Sequence, residues 1–122
     1  MFILSQGTDQ TLLVDKCFDL AEGQKAACNG SEADFKYVYT GGQGSLEFLN
    51  GLELSGSRGS SPSKAECEAE TYYSQDLQLP AAATGRYYCF RTEYNGDTVY
   101  GWMQPTSFNS GGITFNFVAF EP

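Results

Sequence analysis

Asn95-Gly96 constrains this chain more than any other pair of residues. The dipeptide supplies the two positive-φ positions that a type I′ turn requires, and β-branched and aromatic residues flank it on both sides. Gly85-Arg86-Tyr87-Tyr88-Cys89-Phe90-Arg91-Thr92-Glu93-Tyr94 precedes it, and Asp97-Thr98-Val99-Tyr100-Gly101-Trp102 follows. A two-residue loop then fixes the register. Tyr94 faces Asp97, Thr92 faces Val99, Arg91 faces Tyr100 and Cys89 faces Trp102. The only tryptophan therefore shares a sheet face with a cysteine, and a core position against a disulfide is expected for it.

Composition agrees with the hairpin. The chain has 122 residues, 14 of them glycine, is 15% aromatic, and has no long run of helix formers. These features favour one all-β domain, a compact antiparallel sandwich or barrel-like unit with two disulfides. Residues 1–15 read as an N-terminal strand or linker segment, and residues 16–122 as the all-β domain. Within the first segment, Phe2–Leu4 and Leu12–Val14 are apolar runs on either side of a polar Gly7-Thr8-Asp9-Gln10 turn. They suggest an edge hairpin or a loosely docked linker.

Further strands follow in order. Cys17-Phe18-Asp19-Leu20 is a short strand ended by Glu22-Gly23. Asp34 to Tyr39 alternates, with Phe35, Tyr37 and Tyr39 on one side. Asn50-Gly51 marks a second turn, but a tight register pairs Phe48 with Glu53 and mixes the faces, so a longer loop or a bulge is expected. Gly56 to Ser63 reads as a flexible loop, and Ala65 to Thr71 as a single helical turn around Cys67. Leu77 and Leu79 mark a strand closed by Pro80. Ile113, Phe115, Phe117 and Ala119 share one face of a final edge or closing strand.

The formal net charge of −8 disfavours nucleic acid as a partner. No apolar stretch is long enough to insert into a membrane. Met1-Phe2-Ile3-Leu4 runs directly into polar residues and does not read as a signal peptide. The four cysteines nevertheless point to an oxidising compartment, extracellular or in the cell envelope. The two readings agree if a leader has been removed. Arithmetic leaves three pairings open for Cys17, Cys28, Cys67 and Cys89. Their closest spacing is eleven residues and histidine is absent, so zinc is disfavoured; no metal and no cofactor are expected. The missing histidine also removes the commonest general base, and nothing in the spacing of Asp19, Asp34, Asp76 and Asp97 pairs them as a glycosidase dyad. The chain reads as a non-enzyme. Tyr72, Tyr73, Tyr94 and Tyr100 lie near turns or strand ends, where a ring can stack on a sugar or a protein partner.

Two resemblances follow from these motifs. Gly85-Arg86-Tyr87-Tyr88-Cys89 resembles the sixth-strand motif of immunoglobulin variable domains, which implies a Cys17–Cys89 bridge. No Trp follows Cys17, and the final strand lacks a Phe-Gly-x-Gly pattern. Phe18-Asp19-Leu20-Ala21-Glu22-Gly23, Ala33-Asp34-Phe35, Asn50-Gly51-Leu52, Cys67 and Gly85 to Thr92 together resemble a small secreted bacterial domain. That domain is appended to envelope proteins and kinases and has no assigned activity. This second resemblance implies a Cys67–Cys89 bridge, with Cys17–Cys28 as an additional pair. The expected function is non-catalytic extracellular binding or display, with a glycan or an envelope protein as partner. The alternative is a subunit of a surface fibre that self-assembles by strand addition at a sheet edge.

Overall fold

The computed structural model describes residues 2–122. Two five-stranded antiparallel sheets pack against each other. The first runs β1 (Ile3–Leu13), β10 (Gly112–Phe120), β9 (Asp97–Asn109), β8 (Tyr87–Tyr94) and β6 (Glu53–Arg58). The second runs β3 (Gln24–Ala26), β2 (Cys17–Asp19), β4 (Phe35–Thr40), β5 (Gln43–Phe48) and β7 (Leu77–Leu79). One short α-helix, α1 (Lys64–Glu68), and a 3-10 turn at Ala81–Ala83 complete the fold. The chain is thus an all-β domain with two disulfides, Cys17–Cys28 and Cys67–Cys89.

Alternation at a period of two builds the core. Ile113, Phe115, Phe117 and Ala119 of β10 are buried and meet Phe18, Phe35, Tyr37 and Leu46 from the facing sheet. Phe18 lies edge-on to both Phe115 and Phe117, with ring centroids 5.1 and 5.5 Å apart. Each such ring contributes about 1.5–3 kcal/mol by leaving water.

The central hairpin has the register expected from its turn: Tyr94 opposite Asp97, Thr92 opposite Val99, Arg91 opposite Tyr100 and Cys89 opposite Trp102. Asn95 and Gly96 have φ of 51° and 83°. Further along β9, Gly101 allows a close approach. A Cβ there would lie 2.1 Å from the Val118 carbonyl oxygen and 2.5 Å from the Phe90 ring.

Several expectations are corrected. Residues 3–13 form one strand on β10, because the Gly7–Gln10 stretch is absorbed as a bulge and not as a turn. Leu12 of that strand is fully buried, so the segment docks tightly. β10 is interior to its sheet, flanked by β1 and β9, and is not an edge. The stretch read as a loop from Gly56 supplies the end of β6, where Ser57 and Arg58 pair with Tyr88 and Tyr87. The Cys67–Cys89 bridge excludes the Cys17–Cys89 bridge that the immunoglobulin resemblance implied. Trp102 does share a face with Cys89, but inward-facing Tyr88, Phe90 and Met103 alternate with them, so that face is the outer one. The disulfide joins β8 to α1 there, outside the sandwich. Trp102 is half-buried and packs edge-on to Tyr87 at 5.1 Å.

Helix α1 is held by its ends. Ser63 and Glu66 form a reciprocal capping box. Arg58 pairs with Glu66 and Glu70, and the Lys64 ammonium donates to the Glu121 carbonyl at 2.7 Å.

Candidate functional site

The four tyrosines separate into three places. Tyr72 and Tyr100 come together on the outer face of the first sheet, with ring centroids 6.1 Å apart. Arg91, the cross-strand neighbour of Tyr100, lies 4.7 Å over the Tyr72 ring. Its Nε donates to Glu53 Oε1 at 2.6 Å, a bond that holds the guanidinium above its ordinary pKa. Strands β6, β8 and β9 place these groups in one row, because Glu53 pairs with Arg91 and Arg91 with Tyr100. Tyr72 is pinned from behind: its hydroxyl donates to the Cys67 carbonyl at 2.7 Å. Burial, reinforced by the Tyr100 hydroxyl, raises the Tyr72 pKa well above its ordinary value.

An open groove of about 250 Å³ runs along this row, walled by Glu53, Arg91, Glu93, Thr98 and Tyr100. Its lining of carboxylates, a guanidinium and hydroxyls beside an aromatic edge offers many hydrogen-bonding positions and little apolar wall. That chemistry suits a hydroxyl-rich ligand better than a hydrophobic one.

Tyr73 points elsewhere. Its backbone bridges Leu54 in both directions, and the residue, 57% exposed, borders a second groove of about 240 Å³ with Phe48, Leu77 and Tyr88. Tyr94 lies at the tip of the central hairpin. Its hydroxyl donates to Glu22 Oε1 at 3.0 Å, a bond that raises the phenol pKa.

Glu22 belongs to a carboxylate cluster. One oxygen from each of Asp19, Glu22 and Glu32 lies within 4.8 Å of the others. Asp19 is almost wholly buried, Oδ1 accepts the Glu22 amide at 3.1 Å, and Oδ2 has no partner. Burial first, then the charges of Glu22 and Glu32, raise the Asp19 pKa. Asp34 lies behind the cluster. It accepts the Leu20 amide at 2.7 Å and the Thr92 hydroxyl from the opposite sheet. Burial pushes its carboxyl up to about 6 despite those two donors. Asp19 and Asp34, which sequence spacing left unrelated, are thus neighbours, whereas Asp76 caps the Phe48 amide at 2.9 Å.

Sequence reasoning paired Arg91 with Tyr100 but did not reach Glu53 or Tyr72 as their neighbours. Ala21 stands where the resembled domain has a second Asp, which argues against an acidic cluster at Phe18–Gly23, and Glu32 is not reached from the sequence. The signal for that cluster was the Asp19-x-x-Glu22-Gly23 turn, closed by the Gly23 amide on the Asp19 carbonyl at 2.8 Å. Comparison of the chain with protein-family models, with curated proteins and with solved structures finds no match.

Proposed function

We propose that this is a non-catalytic extracellular or cell-envelope binding domain whose groove beside Tyr100 holds a glycan or the glycan-bearing surface of an envelope protein. The observation that carries the reading is the row Glu53–Arg91–Tyr100, an aromatic edge flanked by an ion pair on an open sheet face. Sugars are bound by this combination, since a ring covers the C–H face and fixed charged groups bond the hydroxyls. Two disulfides and no free cysteine among the described residues support an oxidising compartment. The resemblance to the small secreted bacterial domain supports the same placement. The test is a glycan array and a pull-down from envelope extract, each run with Tyr100→Ala alongside the parent chain. The reading expects capture by the parent, and at least tenfold weaker capture by the variant at a nearly unchanged melting temperature. Silence from the parent in both assays would overturn it.

The second reading, self-assembly by strand addition, draws on β1. This edge strand leaves Ile3 and Leu13 exposed, with Phe2 just before it. The bulges between Ile3 and Ser5 and between Gly7 and Gln10 blunt the same edge. A monomer mass that does not change with concentration would remove this reading.

A further inference from the structure

We propose that Asp19, Glu22 and Glu32 form a divalent-cation site, with calcium as the fitting ion. Two independent observations meet there. The first is the cluster itself, three carboxylate oxygens mutually within 4.8 Å. The second is Asp19 Oδ2, an unpartnered oxygen on a side chain whose residue is 2% exposed. Buried carboxylate oxygens are hydrogen-bonded or coordinate a cation, since otherwise the lost hydration is uncompensated. Here Oδ2 accepts no hydrogen bond of ordinary geometry, and the Ala21 amide acts on the carboxyl less than the Glu22 amide does. The three ion pairs among the described residues, Arg58 with Glu66 and Glu70 and Arg91 with Glu53, all lie elsewhere.

The chemistry selects the ion. All three ligands are hard oxygens, which suit calcium, magnesium or manganese and not zinc or copper. Calcium holds its ligands at about 2.3–2.6 Å, so two oxygens on opposite sides of one ion lie about 4.6–5.2 Å apart. Oxygens that all lie within 4.8 Å of one another can share one such ion. Magnesium demands a near-ideal octahedron and gives up its waters reluctantly, so three carboxylates on a partly exposed loop suit it less well.

The local fold pre-organises the set. Asp19 ends β2, and the Asp19–Gly23 turn brings Glu22 back beside it. The Cys17–Cys28 bridge and the Gly30 amide on the Ala27 carbonyl, 3.0 Å, shape the loop that delivers Glu32. Gln24 Nε2 and the Tyr94 hydroxyl steady Glu22 at 2.9 and 3.0 Å. Glu22 and Glu32 are exposed, so water completes the coordination, and the affinity expected is that of extracellular calcium modules, a dissociation constant of about 0.1–1 mM.

Tyr94 supplies a direct probe, because terbium replaces calcium and is sensitised by a neighbouring phenol. The chain, with disulfides intact and stripped with chelator, would be titrated with terbium and then with calcium and magnesium as competitors. Melting temperatures would be read with and without 10 mM calcium, on the parent, Asp19→Asn and Glu32→Gln. The expected result is one terbium per chain, displaced by calcium at lower concentration than by magnesium. A calcium-dependent rise of about 5 °C in melting temperature should accompany it. Glu32→Gln, on an exposed side chain, should fold normally and bind at least tenfold more weakly, and Asn at position 19 should abolish the calcium-dependent rise. A parent melting temperature indifferent to calcium would mean that Asp19 is neutralised by a proton, and would overturn the site. So would calcium binding retained in both variants.

Discussion

Two of the three Asn-Gly dipeptides in the chain share nearly the same backbone and have opposite uses. Asn95 and Gly96 have φ of 51° and 83°; Asn50 and Gly51 have φ of 51° and 86°. The first closes a hairpin within one sheet, and the second carries the chain from β5 in one sheet to β6 in the other. What separates them is the flanking pattern. Around Asn95-Gly96 the inward residues match across the turn, Thr92 with Val99 and Phe90 with Gly101. Around Asn50-Gly51 a tight register would set Phe48 against Glu53, which cannot share a face. The strands part instead. The Phe48 amide goes to Asp76, the Leu49 amide to the Asp34 carbonyl, and Leu54 to the Tyr73 backbone. The Asn50 side-chain amide reaches the Gly30 and Ala33 carbonyls at 3.0 and 2.8 Å. A turn dipeptide therefore sets local geometry, while burial of the flanking side chains decides which strands pair.

The comparison predicts a graded set of losses. The largest is at Gly101, in the return strand of the first hairpin. Gly101→Ala drives a Cβ into the Val118 carbonyl and should cost about 3 kcal/mol or prevent folding, read by denaturant titration. Next is Thr92, which ties that hairpin to the residue whose carbonyl anchors the second turn. Thr92→Val removes the hydroxyl donor from buried Asp34 and should cost about 2 kcal/mol at pH 8.

The Thr92 loss should shrink at low pH. The Asp34 pKa in the fold, about 6, lies above its unfolded value, so the native state takes up this proton first. In chelator, the Asp34 contribution to stability therefore falls as pH rises from about 4 through about 6 and is level above that. The Thr92 donor serves the ionised form, so the difference between parent and Thr92→Val should narrow toward pH 4. Paired melts across this range check the sign.

Smaller effects separate the turns themselves. Asn50→Gly keeps the positive φ but removes two tertiary hydrogen bonds, and should cost about 1–2 kcal/mol. Asn95→Gly also keeps the geometry and removes no tertiary anchor of that kind, so it should change stability by less than about 0.5 kcal/mol. Equal losses at the two sites would break the comparison.

Strands whose burial pattern is local were legible in the sequence. β4, β7, β8, β10 and the Asp97–Trp102 part of β9 each show alternation or a clear stop, as in Phe35 and Tyr37 or in Leu77, Leu79 and Pro80, whereas the run of β9 on to Asn109 is not read from the sequence. What depends on partners at long range was not legible. Gly7-Thr8-Asp9-Gln10 has turn composition, yet pairing with β10 absorbs it as a bulge. The register places Trp102 beside Cys89 correctly, but the core position expected for it is wrong, because Phe90, Val99 and Met103 fill the core from the other face. The candidate sites divide in the same way. Arg91 opposite Tyr100 follows from the turn alone. Tyr72 joins them through the Cys67–Cys89 staple, and Glu32 joins Asp19 and Glu22 through the folding of the loop around Cys28.

The most direct test of the central claim, that one Asn-Gly pairs its flanking strands and the other separates them, is a proton NOE spectrum of the folded chain. In a two-residue hairpin the pair next to the turn is hydrogen-bonded and the following pair is not, so alternate pairs bring their α-protons close. The account predicts strong Hα–Hα cross-peaks between Glu93 and Thr98 and between Arg91 and Tyr100, and none between Phe48 and Glu53. A Phe48–Glu53 cross-peak of comparable strength would show a second hairpin in one sheet, and would contradict the crossing of the chain at Asn50-Gly51.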